Sequence, residues 1–534
     1  MTSPKFKQLN PFELKASLTT LLNKINSVQD VPNCLADFEM LDSQADKTVL
    51  SKLLLKELVN AKAEKIPVIC FLLEHYTPKE ELVNKFWETL KNPNLNSEVK
   101  ITIINLLREL DADWSYETCE EYLGEDSTEI LDENTKKLLN TAIINPEVQI
   151  DFLDFLASIR VQDKITLLNS FEGDFSDDAL ANILIPVFVS EPESPEGKEA
   201  LRILGTTKSQ LALHVLEEMS NSAKGELSQE IRRALSTLKI SGIREDNTKE
   251  FYKKILSDSV PNKFYITYPD GHGDQALIFT RKTQDGKIRF VSIVTNIETG
   301  VKDCFGFFEI SQFECDKILE RFLRDEKTVE LPPEAFKTIL HNAQMQSILR
   351  NGNNWKLPYE YVCWSNLLLD IDFDNESIEQ ILKEQILPQK VDKAIIPMLE
   401  KMKISSHWFL DGNYSDEFED LVVEMKSTKD LDALVEKYLP SVFYAEEKES
   451  WIDKLLMSAY IKYSIGKDDE ASMVYGLSQD ENLLAELFNT ILKRSIYEYL
   501  MTIKYNKDMN TENFTPDEID EKINYVEEKW VKNV

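Results

Sequence analysis

Histidine is scarce, with five residues scattered through a chain of 534. A histidine-rich metal centre would need assembly across long stretches of sequence. "EH" at 74–75 has no second histidine four residues on, so the zincin motif is missing. The six cysteines (Cys34, Cys70, Cys119, Cys304, Cys315, Cys363) form no CxxC pair, which suits reduced, buried thiols rather than a disulfide framework or zinc site. There is no Walker A loop and no G-x-S-x-G elbow. The strongest apolar run, Ile66–Leu73, is far short of the roughly 20 residues of a membrane span. The first thirty residues lack the apolar core and small-residue cleavage site of a secretory signal. Positive charge is in deficit too: 61 Lys+Arg stand against 94 Asp+Glu, a net charge of −33, with no run dense in Lys/Arg. Such a surface repels phosphate backbones and anionic lipid, although a local basic groove is compatible with it. The expectation is a cytoplasmic protein with no cofactor, no metal, no nucleic acid and no membrane among its partners.

What is present is mainly helix. A chain of this length exceeds one core and implies several domains. Residues 1–245 read as consecutive short helices. Asn10-Pro11 marks one start, and "TPKE" at Thr77–Glu80 another, with Thr77 as the capping residue. Leu82, Val83, Phe86, Trp87 and Leu90 then recur at helical spacing. Ala200, Leu201 and Leu204 in "EALRILG" repeat as Ala234, Leu235 and Leu238 in "RALSTLK", and "EVKITIINLLREL" at 98–110 closes in the same way. On these residues the stretch from about 40 to 245 resembles HEAT and armadillo-like repeat proteins. That resemblance implies helical hairpins stacked as an α-solenoid, each too small to bury its apolar face alone, and an extended protein-binding surface.

The polar stretch "SGIREDNTKE" at 241–250 marks the expected first boundary. Beyond it the pattern changes. The window from Gly271 to Gly306 holds five of the fifteen glycines. Phe264–Tyr268, Gln275–Lys282, Lys287–Thr295 and Val301–Ile310 read as strands, the second and third joined through Asp285-Gly286. Ser311 and Glu314 then cap an amphipathic helix. Residues 251–330 thus form an expected small α+β module, an antiparallel meander plus a helix. Its charge is nearly balanced, at 12 basic against 13 acidic residues. "ELPPEAF" at 330–336 opens a third, all-helical domain over 331–534. Within it, 455–477 reads as a hairpin turning at Gly466, "NKDMNTENF" at 506–514 as a polar break, and Thr515 as the cap of a last helix ending near Trp530.

Candidate chemistry concentrates in "YPDGHGDQA". The letters fit a dinucleotide fingerprint, but a strand follows instead of a helix, so the glycines read as turn residues. His272, flanked by Asp270 and Asp274, is the candidate binding group, since a neighbouring carboxylate can orient imidazole. Loop tips are routinely built from Gly and Asp for conformational reasons, and that reading is preferred. Asp303-Cys304 is a weaker thiol candidate. "DIDFDNESIEQI" at 370–381 begins like a calcium loop with Asp370, Asp372 and Asp374, yet Asn375 replaces the turn glycine and Ile381 the bidentate Glu. With no complete catalytic set, the expected function is a non-catalytic protein-interaction scaffold. The alternative is an enzyme or ligand-binding sensor with its site on the module loops.

Overall fold

The computed structural model describes residues 8–25, 34–62, 65–92, 95–110, 145–173, 175–243, 256–323, 328–351, 355–410, 448–505 and 515–528, together with 253, 433, 435–437 and 439. Cys119, residues 244–250 of the expected boundary, the 506–514 break and Trp530 lie outside them. The chain forms two compact units: residues 1–141 with 154–160, and residues 142–153 with 161–534. The expected boundary at 241–250 therefore falls inside the second unit.

In the first unit, α1 (Pro11–Lys24), α2 (Leu35–Gln44), α3 (Lys47–Val59), α4 (Ile66–Tyr76), α5 (Lys79–Leu90) and α6 (Ser97–Glu109) follow one another. Asn10 caps α1 reciprocally with Glu13, each side chain accepting from the other's backbone N–H. The apolar run expected from the sequence becomes α4, buried on several sides in a core with Leu14, Leu54, Phe86 and Ile103. Thr77 is not the cap of α5. The residue is 5% exposed and its hydroxyl donates instead to Ser51 Oγ at 2.9 Å, while Pro78 occupies the cap position. A buried hydroxyl takes whichever partner the packing supplies.

The second unit opens with α7 (Pro146–Ser158), whose residues before 154 belong to it, then α8 (Val161–Ser170), α9 (Asp177–Ser190), α10 (Pro195–Leu204), α11 (Gln210–Ser222) and α12 (Gly225–Ile240). The hairpins α9–α10 and α11–α12 stack, α9 on α11 and α10 on α12, which is how solenoid units bury their faces. The matching Ala200/Leu201/Leu204 and Ala234/Leu235/Leu238 are the buried stripes of α10 and α12. α9 is buried almost throughout from Ala179 onward. Its last carbonyls lack helical partners. Val189 O accepts from Trp355 Nε1 at 2.9 Å and Ser190 O from Leu357 N at 3.1 Å. These bonds join α9 to the C-terminal third.

The expected meander is present as β1 (Ser259–Thr267), β2 (Asp274–Thr283), β3 (Ile288–Asn296) and β4 (Gly300–Ile310), followed by the Ser311-capped α13 (Gln312–Leu323). A short strand, β5 (Thr328–Glu330), adds to the β1 edge, giving the antiparallel order β4-β3-β2-β1-β5. Strand alternation sorts the side chains. Ile278, Ile288 and Phe290 face Cys315 and Leu319 of α13. On the other face Phe264 and Phe279 stack at 6.1 Å and meet Phe336 edge-on. Phe336 belongs to α14 (Pro333–Asn351). α15 (Tyr359–Ser365) runs into a 3₁₀ turn at Asn366–Leu368, and α16 (Ile378–Gln385) and α17 (Ile395–Lys401) follow. α18 (Lys448–Ser464) and α19 (Asp468–Ser478) form the expected hairpin at Gly466, followed by α20 (Glu481–Tyr505) and the Thr515-capped α21 (Pro516–Val526). No helix among the described residues is long and apolar enough to cross a membrane.

Candidate functional site

The Asp270–Asp274 turn is held from within. Asp270 Oδ1 accepts from the backbone N–H of His272 and of Asp274, both at 2.9 Å. Asp274 Oδ1 accepts from Asn296 Nδ2 at 2.7 Å, and Lys302 Nζ lies 2.8 Å from its Oδ2. The turn also docks on residues 407–409. Gly271 N donates to His407 O at 3.0 Å, and the buried Trp408 Nε1 donates to Pro269 O at 2.8 Å. A Cβ on Gly271 would lie 2.3 Å from Phe409 O, and Gly273 has φ +81, so both glycines answer to conformation. His272 alone points outward, exposed. Both carboxylates are engaged in holding the turn. Cys304 is 3% exposed, and burial pushes its thiol well above the ordinary range, which makes it a poor nucleophile. In the "DIDFDN" stretch, Asp374 Oδ1 accepts from Glu376 N, and Asp370 takes up a different role.

That role is at the far end of β3, seven residues from Asn296 and so roughly 20 Å from the turn. Arg281 on β2 is fully buried, and every one of its nitrogens donates. Nη1 and Nη2 reach Asp370 Oδ1 and Oδ2 at 2.8 and 2.9 Å. They also reach Leu367 O and Ser259 O, while Nε reaches Ser259 Oγ at 3.1 Å. Arg289, its cross-strand neighbour, pairs both Nη groups with Asp258 and lies 4.2 Å over the Phe308 ring. Its Nε is buried without a partner. Arg281, through Asp370 and Leu367 O, pins the 366–370 turn against the sheet.

The pinned turn divides two cavities. The larger, about 540 Å³, is lined by Gln149, Ala179, Asn182, Leu211, Leu256, Arg289, Phe308 and Leu367, with Asp178, Asp258 and Glu309 also on its wall. Its floor is the Arg289–Phe308 stack. The smaller, about 100 Å³, lies on the other side of Asn366 and Leu369. It brings together two of the five histidines, His214 on α11 and His341 on α14, with Glu218, Lys337, Gln344 and Tyr361. His341 Nδ1 lies 3.7 Å from Glu218 Oε1, Gln344 Nε2 donates to the same oxygen at 3.4 Å, and Tyr361 OH donates to Gln344 Oε1 at 2.8 Å. Burial drives the shifts here, disfavouring each charged form. His214 and His341 are lowered, both by burial and then by Lys337; Glu218 is raised by burial, against Lys337. Among the described residues no three metal-ligating groups converge.

The linkage has a definite sign. A raised carboxyl contributes stability that is present below its ordinary 4.5 and lost as pH climbs through the raised value. The lowered histidines contribute stability present above 6.5 and lost as pH falls through their lowered values. Glu218→Gln stays neutral throughout, so it should melt above the wild type near neutral pH, with the gap closing towards about pH 4. Thermal melts across that range check it; a variant that melts below the wild type at neutral pH would mean that ionised Glu218 is stabilising.

The chain matches no family model, no curated protein and no solved structure. Sequence reasoning missed Arg281, Arg289, Asp258 and the His214/Glu218/His341 group. The i, i+4 spacing of His214 and Glu218, and of Lys337 and His341, was the available signal, since each pair shares a helix face.

Proposed function

We propose that the protein is a non-catalytic binding protein whose ligand occupies the cavity above Arg289 and Phe308. One observation carries this reading: a cleft of about 540 Å³, mostly apolar, with a few fixed polar groups on its wall. Ligand pockets have this size and make-up. The charge of the wall narrows the ligand. Arg289 is neutralised by Asp258, while Asp178 and Glu309 add negative charge. A neutral or cationic amphipathic molecule fits, and a fatty-acid-like anion is repelled.

The neutral probe Nile red should therefore bind saturably, and a carboxylated analogue of similar size should bind at least tenfold more weakly. Ala179→Phe, which fills the cavity, should abolish Nile red binding while leaving helical circular dichroism unchanged. Binding that survives Ala179→Phe sinks this reading. A second reading, docking of a protein partner, is favoured by Phe305, Phe307 and Phe313. These three rings are 45%, 39% and 66% exposed on and beside the edge strand β4. Exposed aromatic groups of this kind mark interaction surfaces. It keeps the scaffold role that the solenoid-like helices suggest.

A further inference from the structure

In a chain of net charge −33, one groove is lined by four lysines and a single carboxylate. It measures about 430 Å³ and is formed by Lys401, Lys403, Lys462, Lys467 and Glu470, with Tyr268, Val329, Met398, Met402 and Ile465 as apolar walls. The lysines come from three places: the end of α17, the last turn of α18 and the position just before α19. Asp468 and Asp469, in the first turn of α19, do not line it.

Two of the lysines are held at a cost. Lys462 is 4% exposed, its Nζ 2.6 Å from Glu470 Oε2 and 5.4 Å from the Tyr268 ring centre. Burial lowers its pKa, against the pull of Glu470. Lys403 is the one non-glycine residue at positive φ among the described residues, at +63. It follows α17 in a Schellman arrangement: Ile404 N donates to Leu399 O at 2.9 Å and Lys403 N to Glu400 O at 2.8 Å. Glycine is the usual occupant of that position, and another residue there is strained by roughly 1 kcal/mol. The helix dipole accounts for a cation in the last turn of α17. It does not account for a strained lysine where glycine would serve.

We propose that this groove binds a small organic phosphate, its anionic groups held by Lys401, Lys403 and Lys467 and its less polar body lying against Met398, Met402 and Ile465. Lys462 and Lys467 both pair with Glu470, which fixes the basic wall in place. The volume limits the ligand to the size of a nucleoside diphosphate. This site is independent of the Arg289 cavity and has the opposite charge preference.

Titration calorimetry of the full chain with inorganic pyrophosphate tests it. Expected is one saturable site, displaced by a nucleoside diphosphate and weakened by salt. Lys401→Gln with Lys467→Gln should lower affinity at least tenfold. Lys403→Gly is the more telling variant: it should weaken binding while leaving the melting temperature equal to or above that of the wild type, because strain is relieved as charge is lost. No saturable heat, or affinity unchanged in both variants, overturns the proposal. So does a single-stranded oligonucleotide that binds the groove and is not displaced by pyrophosphate.

Discussion

Asp370→Ala should destabilise the second unit by about 3–5 kcal/mol, because it strands the buried Arg281 guanidinium without its carboxylate. Arg281 is 0% exposed and Asp370 only 14%. The alanine variant removes both carboxylate acceptors at once and leaves Leu367 O, Ser259 O and Ser259 Oγ to satisfy a full charge. The double variant Arg281→Met with Asp370→Leu should recover most of the loss, since an apolar pair of similar volume avoids the desolvation that the ions incur. Urea unfolding followed by tryptophan fluorescence reports on this unit through the buried Trp355, Trp364, Trp408 and Trp451, with Trp87 and Trp114 replaced by Phe to silence the first unit. A loss below about 1 kcal/mol for Asp370→Ala would mean that the pair is dispensable.

The second large effect is expected at the "GHGD" turn, where neighbouring residues should differ sharply. Gly271→Val places branched carbons against the backbone of Phe409, whose oxygen would be 2.3 Å from the new Cβ. Neither partner is a flexible side chain. The turn must lift from residues 407–409, losing the Gly271–His407 bond and disturbing the Trp408–Pro269 bond. A cost of roughly 3 kcal/mol follows, at the upper end of overpacking. His272→Ala, on an exposed side chain, should change stability by about 0.5 kcal/mol or less. Comparing the two unfolding midpoints checks both. If Gly271→Val is silent, the docking of the turn is misjudged. If His272→Ala removes a bound ligand, the turn is a binding site after all.

The legible parts of this fold were the ones encoded locally. The four strands of the meander announced themselves through β-branched and aromatic runs and an Asp-Gly turn, the caps at Ser311 and Thr515 through residues three apart, and the start at Asn10 through the proline that follows it. Thr77 shows the limit of local signals: the same letters cap a helix or fill a core hydroxyl site, and Ser51, far away in sequence, decided between them. β5 has three residues and no pattern of its own, existing only because the β1 edge is open to it. The candidate sites were illegible for the same reason. Arg281 and Asp370 are 89 positions apart. The lysines of the basic groove come from three separate stretches of the chain, each unremarkable in its own window, so no basic run betrayed them.

Native mass spectrometry of the chain isolated from its source cells tests the central claim most directly, because it presupposes no probe. If the cavity above Arg289 is the binding site, the wild type should carry a neutral or cationic small molecule in one-to-one ratio. Ala179→Phe, folded to the same extent, should emerge without it. A wild type that carries no small molecule, or an Ala179→Phe variant that retains the same adduct, would contradict the account.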